Sequence, residues 1–405
     1  MDKNIVVKKE EIIGEISIDS ILKTFKNNLH SVSFFFERFR GDASDIDENA
    51  LKSTYEYVKN AFKKISDEDI QNNDYSKLME LSKTLKKAPK ISVQNYEILS
   101  SSSFLMLNNY FEYLLADLLT YYYNKYKSSL SSKEFKISLR EIGEYESIEE
   151  LENNLIMKEV ETMLIDLSFD GLKNHFKTKF NLKLNEDIVN WDLINECRER
   201  RHLIVHNACV VNKKYITRTN NPDNKKIGDK ISITEDYFQL VYNEIKLAGL
   251  LLSYECWGSW DNEKSTNAIN DMLNVCYDYL INNNTQDSKK ISTYIINSIK
   301  PRNDDEENLL MRARFNYCIA LKKLNDTKEL NKSLSNIKIG TFSPLFKLAH
   351  SILADKDDSI IFNLIEKSYK LEEIDLDSYL EWPLFDFIRE KDELNDKIVK
   401  FLSNV

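Results

Sequence analysis

Glycine and proline are scarce in this chain, with 8 and 5 among 405 residues. That leaves little material for β-hairpin turns or for glycine loops that cradle phosphates. The glycines are isolated, which excludes Walker-type, dinucleotide-binding and nucleophile-elbow motifs. The five cysteines, at positions 197, 209, 256, 276 and 318, form no CysXXCys pair. Neither a zinc ribbon nor a disulfide framework is suggested, and a reducing cytoplasm fits. Long apolar runs are missing: the longest, around Leu247 to Leu252, is much too short to span a bilayer, and Met1 is followed by charged residues instead of a hydrophobic signal core. No membrane association is expected. An excess of positive charge is absent too. With a net charge of −10, the chain is not built to coat nucleic acid, so any RNA site must be a local basic patch.

The composition is that of a foldable protein, 42% apolar and 30% charged, and its length allows two or three domains. Helical periodicity runs throughout, so an all-α fold is expected. Residues 1–90 form an N-terminal helical segment. Ile18, Ile21, Leu22, Phe25 and Leu29 mark one face, Phe34, Phe35, Phe36 and Phe39 a buried segment, Asp42 to Asn49 a charged break, and Leu51 to Ile65 and Tyr75 to Leu85 further helices. Residues 91–260 form a central bundle around the most hydrophobic helix, Asn95 to Tyr126, with Asn108 and Glu112 together on its flank. Ser147 and Glu150 open another helix as a capping box, and Thr234 caps the helix that closes the bundle. Residues 261–405 change to shorter helix pairs. Ala313, Tyr317 and Ala320 in that stretch resemble the packing positions of tetratricopeptide-type repeats, and Tyr379 to Phe385 reads as a capping segment.

The stretch that stands out is Asp192 to Val211, around which the rest of the chain reads as organised. On a helix its apolar stripe runs through Ile194, Cys197, Ile204, Val205 and Ala208, with Arg201 in the middle, where a core residue belongs. His202 and His206, one turn apart, lie on the adjoining flank. A structural explanation is that Arg201 lays its stem on the core and its head in water. The HisXXXHis spacing also suits zinc, yet it lacks the usual Glu and a third ligand, so no metal is expected.

Arg201, the polar His202, three apolar residues and the pair His206 and Asn207 resemble the motif of the HEPN ribonuclease superfamily. The approach from Trp191 and the exit through ValValAsnLysLysTyr to Tyr215 resemble it too. The similarity covers roughly residues 91–260 and is closest to bacterial HEPN domains of toxin and phage-defence systems. It implies a HEPN-type helical bundle and a metal-independent endoribonuclease without cofactor. Arg201 and His206 would be catalytic, with His202 or Asn207 in support and Glu112 supplied by the early helix. It also implies a homodimer, because the motif helices of two domains usually face each other across one cleft. A cognate antitoxin would fit such a toxin, and the C-terminal helices could sense or recruit a partner. Lys213, Lys214, Tyr215 and Arg218, in a basic loop from Asn212 to Ile233, are expected to contact RNA with Arg198 of the motif helix, and Arg198 and Arg200 are expected to extend the same positive surface. The alternative is a non-catalytic HEPN-like module that binds RNA, nucleotide or protein.

Overall fold

A computed structural model describes residues 17–63, 75–87, 94–261 except 222, 265–338, 340 and 343–403. The fold is all-α, and among the described residues the only β pairing is one antiparallel bridge between Val210 and Lys230. No described helix is long and apolar enough to cross a membrane. The chain divides into two compact units, one of residues 1–180 and 189–250, the other of residues 181–188 and 251–405. The N-terminal helix therefore shares a unit with the central bundle.

The first unit begins with α1 (Ile18–Phe62), a single helix of 45 residues. The break expected at Asp42 to Asn49 is helical instead. No proline interrupts it, Glu48 pairs with Lys52 one turn on, and Asp47 is employed elsewhere. The Asp47 carboxylate accepts from the backbone N–H groups of Asn95 and Tyr96, both at 3.0 Å. It thereby caps the start of the central helix from another element. Those bonds also hold its pKa below the ordinary carboxylate value. Of the expected buried phenylalanines only Phe36 is buried, since the other three point away from the packed face of α1.

After α2 (Tyr75–Lys86) comes the central α3 (Asn95–Lys125), packed against α1. Phe104, Leu107, Phe111, Leu115 and Leu118 fill the core as their spacing predicts. Beyond a short α4 (Leu139–Ile142), α5 (Ile148–Asp166) packs on α3. Then follow α6 (Phe169–Phe180), α7 (Trp191–His206), a helical turn α8 (Lys213–Arg218) and α9 (Glu235–Trp260), the last capped by the Thr234 hydroxyl. Phe36 of α1 meets Phe238 of α9 with ring centroids 4.0 Å apart. Gly249 of α9 lies so close to Phe25 that an added Cβ would stand 2.2 Å from its ring, so only glycine allows this approach.

The second unit takes residues 181–188 and the last part of α9, from Leu251, and continues in successive packed helices. They are α10 (Ser265–Ile281), α11 (Thr285–Ser298), α12 (Asp304–Lys323), α13 (Thr327–Asn336), α14 (Pro344–Leu353), α15 (Asp358–Lys370), α16 (Leu376–Glu381), α17 (Asp386–Arg389) and α18 (Asp392–Ser403). Tyr379, Leu384 and Phe385 are fully buried, and the Tyr379 hydroxyl donates to Asn395 at 2.8 Å, which ties the segment before α17 to α18.

Candidate functional site

Helix α7 carries most of the residues of interest. Asn190 caps it by accepting from the Leu193 N–H at 3.1 Å, and Trp191, Ile194, Cys197 and Leu203 turn inward. The buried cation on this face is Arg200, not Arg201. The expected stripe continued through Val205 and Ala208, but the helix ends at His206, Ala208 and Cys209 have positive φ, and Val205 is exposed. Leu203 supplies the packing contact instead, which turns Arg200 inward and Arg201 to the rim.

Arg200 is only 2% exposed and every part of its guanidinium is engaged. Nε donates to Glu196 Oε1 at 2.7 Å, Nη2 to Asp223 Oδ2 at 2.8 Å and Nη1 to the Ser232 carbonyl at 3.4 Å. The group also lies 3.8 Å from the centre of the Tyr237 ring. Tyr215 and Tyr237 both donate their hydroxyls to Glu196. A buried charge survives only when paired and hydrogen-bonded, and this cluster supplies both. Burial and the neighbouring Glu196 push the Tyr215 hydroxyl pKa well up, so it stays protonated. Tyr215, expected to contact RNA, is 1% exposed and unavailable for it, because its ring joins Leu203, Val211 and Ile231 in a small core beneath the loop.

Arg201 is half-buried and held from α3. Its Nη1 lies 3.3 Å from Glu112 Oε1, and Nη2 donates to Asn109 Oδ1 at 3.1 Å. Asn108, paired with Glu112 in the sequence reading, is buried and donates to the Phe104 carbonyl. Its neighbour Asn109 makes the contact, since one residue rotates a helical side chain by about 100°. Glu112 Oε1 also lies 3.5 Å from Arg198. Arg198 is largely buried, with its guanidinium over the Phe169 ring at 5.1 Å, and its Nη1 is a buried donor without a hydrogen-bond partner among the described residues. It is thus a largely covered cation at the groove wall.

His202 and His206 are exposed on the next face, with ring centroids 4.8 Å apart. Partial burial, then the charges of Lys214 and His206, draw the His202 pKa below the ordinary imidazole value. Asn207 ends the helix and donates to the Val210 carbonyl, so it fixes the turn after His206. The following chain is pinned by bonds from Val211 N–H to the Asp229 carbonyl at 2.8 Å and from Ile231 N–H to the Cys209 carbonyl at 2.9 Å. Within it, Lys213 and Lys214 are exposed, and Arg218 pairs with Glu199 at 3.1 Å.

These side chains surround an open groove of about 780 Å³. Arg198, Arg201, His202, His206, Lys214 and Arg218 line one part of it, and the α5–α6 junction from Ile165 to Asp170 the other. Sequence reasoning missed this second wall, whose helix ends bear no chemical motif. Lys213, Lys225, Lys226 and Lys230 do not line the groove.

The chain matches no family model, no curated protein and no solved structure. What the groove can do rests on its own groups. Four cations, Arg198, Arg201, Lys214 and Arg218, face three carboxylates, Asp166, Asp170 and Glu199. Such a balance suits one or two phosphates held locally better than a long polyanion. The imidazoles can exchange protons with a bound ligand. Among the described residues no group of three or more His, Cys, Asp and Glu side chains is placed to hold a metal ion.

Proposed function

We propose that the first unit is a metal-independent endoribonuclease of the HEPN type. The observation that carries this reading is the pairing of an Arg201 guanidinium, fixed from α3 by Glu112 and Asn109, with an exposed His206 imidazole in the same groove. His206 takes the proton of a ribose 2′-hydroxyl, and the 2′-oxygen attacks the adjacent phosphorus. Arg201 neutralises the charge that gathers on the phosphoryl oxygens, and Arg198 and Lys214 hold the flanking backbone. The P–O5′ bond breaks and the leaving oxygen takes a proton, which gives a 2′,3′-cyclic phosphate and a 5′-hydroxyl. His202, whose protonation is opposed by partial burial and the nearby Lys214, hydrogen-bonds to the phosphate or to His206.

A homodimer with a composite site fits the exposed Val205 and Ile165 that border the groove. A toxin or anti-phage effector role follows from the sequence resemblance, as does control by an antitoxin. The non-catalytic alternative draws on one observation, that Glu112 already lies within ion-pair distance of both Arg201 and Arg198.

The reaction is tested with an oligonucleotide carrying a single ribose in an otherwise 2′-deoxy strand, scanned through the sequence. Cleavage should occur only 3′ to the ribose. Cutting of the all-deoxy strand would exclude attack by the 2′-hydroxyl.

A further inference from the structure

The second unit contains a groove of about 880 Å³ bordered by residues of α10, α12, α14 and α16. On α12 it is lined by Asn308, Arg312 and Asn316, one turn apart, and on α10 by Asn270 and Asn274 at the same spacing. Asn316 is only 8% exposed, and its amide makes no hydrogen bond with any described residue. The residue is mostly covered, yet its amide is open to the groove, where a ligand group can take the place of water as its hydrogen-bond partner.

The spacing of these amides suggests the shape of that ligand. Side chains one helical turn apart rise by about 6 Å, close to the roughly 6.6 Å between alternate residues of an extended chain. A peptide in extended conformation turns a backbone N–H and C=O toward the same side at this repeat, and an asparagine amide can both donate to and accept from it. Phe346 and Trp382 supply apolar lining for a side chain.

Charge selects among peptides. Arg312 shares the lining of the groove with four carboxylates, Glu373, Asp375, Asp377 and Glu381. Glu373 accepts from the Leu345 N–H at 3.0 Å and Asp375 from the Ser378 N–H at 2.8 Å, so these two are occupied at helix starts. Asp377 and Glu381, one turn apart on α16, form no ion pair with a described residue. A polyphosphate backbone would be repelled by this excess, whereas a lysine or arginine side chain would be drawn to it. We propose that this groove binds an extended segment of another protein that carries a lysine or arginine beside an apolar residue.

The test uses the full chain and positional-scanning libraries of short unstructured peptides, each library with one position fixed as Lys, Arg, Glu or Leu, with binding read by fluorescence polarisation. Libraries fixed as Lys or Arg should bind about tenfold more tightly than those fixed as Glu, a difference of about 1.4 kcal/mol. The exposed double substitution Asp377→Asn with Glu381→Gln should erase that preference without changing the melting temperature. Asn316→Leu should weaken every library about tenfold while the melting temperature holds or rises, because no described residue hydrogen-bonds to its amide. The proposal is overturned by absent or acid-preferring selection in the wild type, by selection that persists in the double variant, or by mixed-sequence RNA displacing the peptides from this groove. Should Asn316→Leu fail to fold, the charge variant alone decides.

Discussion

Arg201 is gripped by the neighbouring helix and not by its own: Glu112 Oε1 stands 3.3 Å from Nη1, and Asn109 Oδ1 accepts from Nη2 at 3.1 Å. A guanidinium held by two fixed acceptors keeps its remaining N–H donors aimed in one direction, which suits a developing phosphoryl charge. The same carboxylate partly neutralises it. In the proposed mechanism Glu112 acts as a positioning residue, and its removal should lower the rate without weakening binding.

In kinetic terms, Arg201→Ala should lower kcat by about 10²–10³-fold. Glu112→Ala should lower kcat by about tenfold while KM stays level or falls, because two arginines are released to bind phosphate. Glu112→Gln, which retains an acceptor, should recover most of kcat. A rise in KM with unchanged kcat for Glu112→Ala would show that Glu112 does not orient Arg201 for the reaction.

Stability should depend on the other arginine. Arg200→Ala leaves Glu196 buried at 2% exposure without its cation and should cost about 3–5 kcal/mol in denaturant unfolding. Arg201→Ala, at the half-exposed rim, should cost about 1 kcal/mol or less. Equal losses would mean that the two positions share the buried role.

The His202 imidazole should titrate below the ordinary value in NMR, because partial burial and the nearby cations Lys214 and Arg218 oppose its protonation. With the folded pKa depressed, protonation favours the unfolded chain. This contribution to stability is fully present above the unfolded pKa and is lost as pH falls through the folded one. Lys214→Glu should move the His202 titration upward. A downward shift in that variant would contradict the electrostatic cause.

The helices and their cores were legible because apolar spacing is strict where burial is apolar, as from Phe104 to Leu118 in α3 and at Leu384 and Phe385 near the end. Glu112 is placed near Arg201 by the resemblance of the motif and its early helix to HEPN proteins, not by periodicity, and the structure has the two 3.3 Å apart. Periodicity failed where charge itself is buried. Arg200 and Arg201 are adjacent, and only the partners Glu196, Tyr215, Tyr237 and Asp223, brought together by the fold, decide which of them turns inward. Tyr215 is buried for that cause. Asn109, not Asn108, reaches Arg201 because the sequence does not fix the rotation of α3 about its axis to within one residue. The long α1 was obscured by a charged stretch whose carboxylate Asp47 caps another helix, a role that only tertiary contact reveals.

The central claim is tested most directly by incubating a labelled mixed-sequence RNA with the wild-type protein and with His206→Ala, both in EDTA, and analysing the product ends. Wild type should yield 2′,3′-cyclic phosphate and 5′-hydroxyl ends, and His206→Ala should lose that activity by about 10²–10⁴-fold. Undiminished cleavage by His206→Ala, or cleavage that EDTA abolishes, would contradict the proposed chemistry.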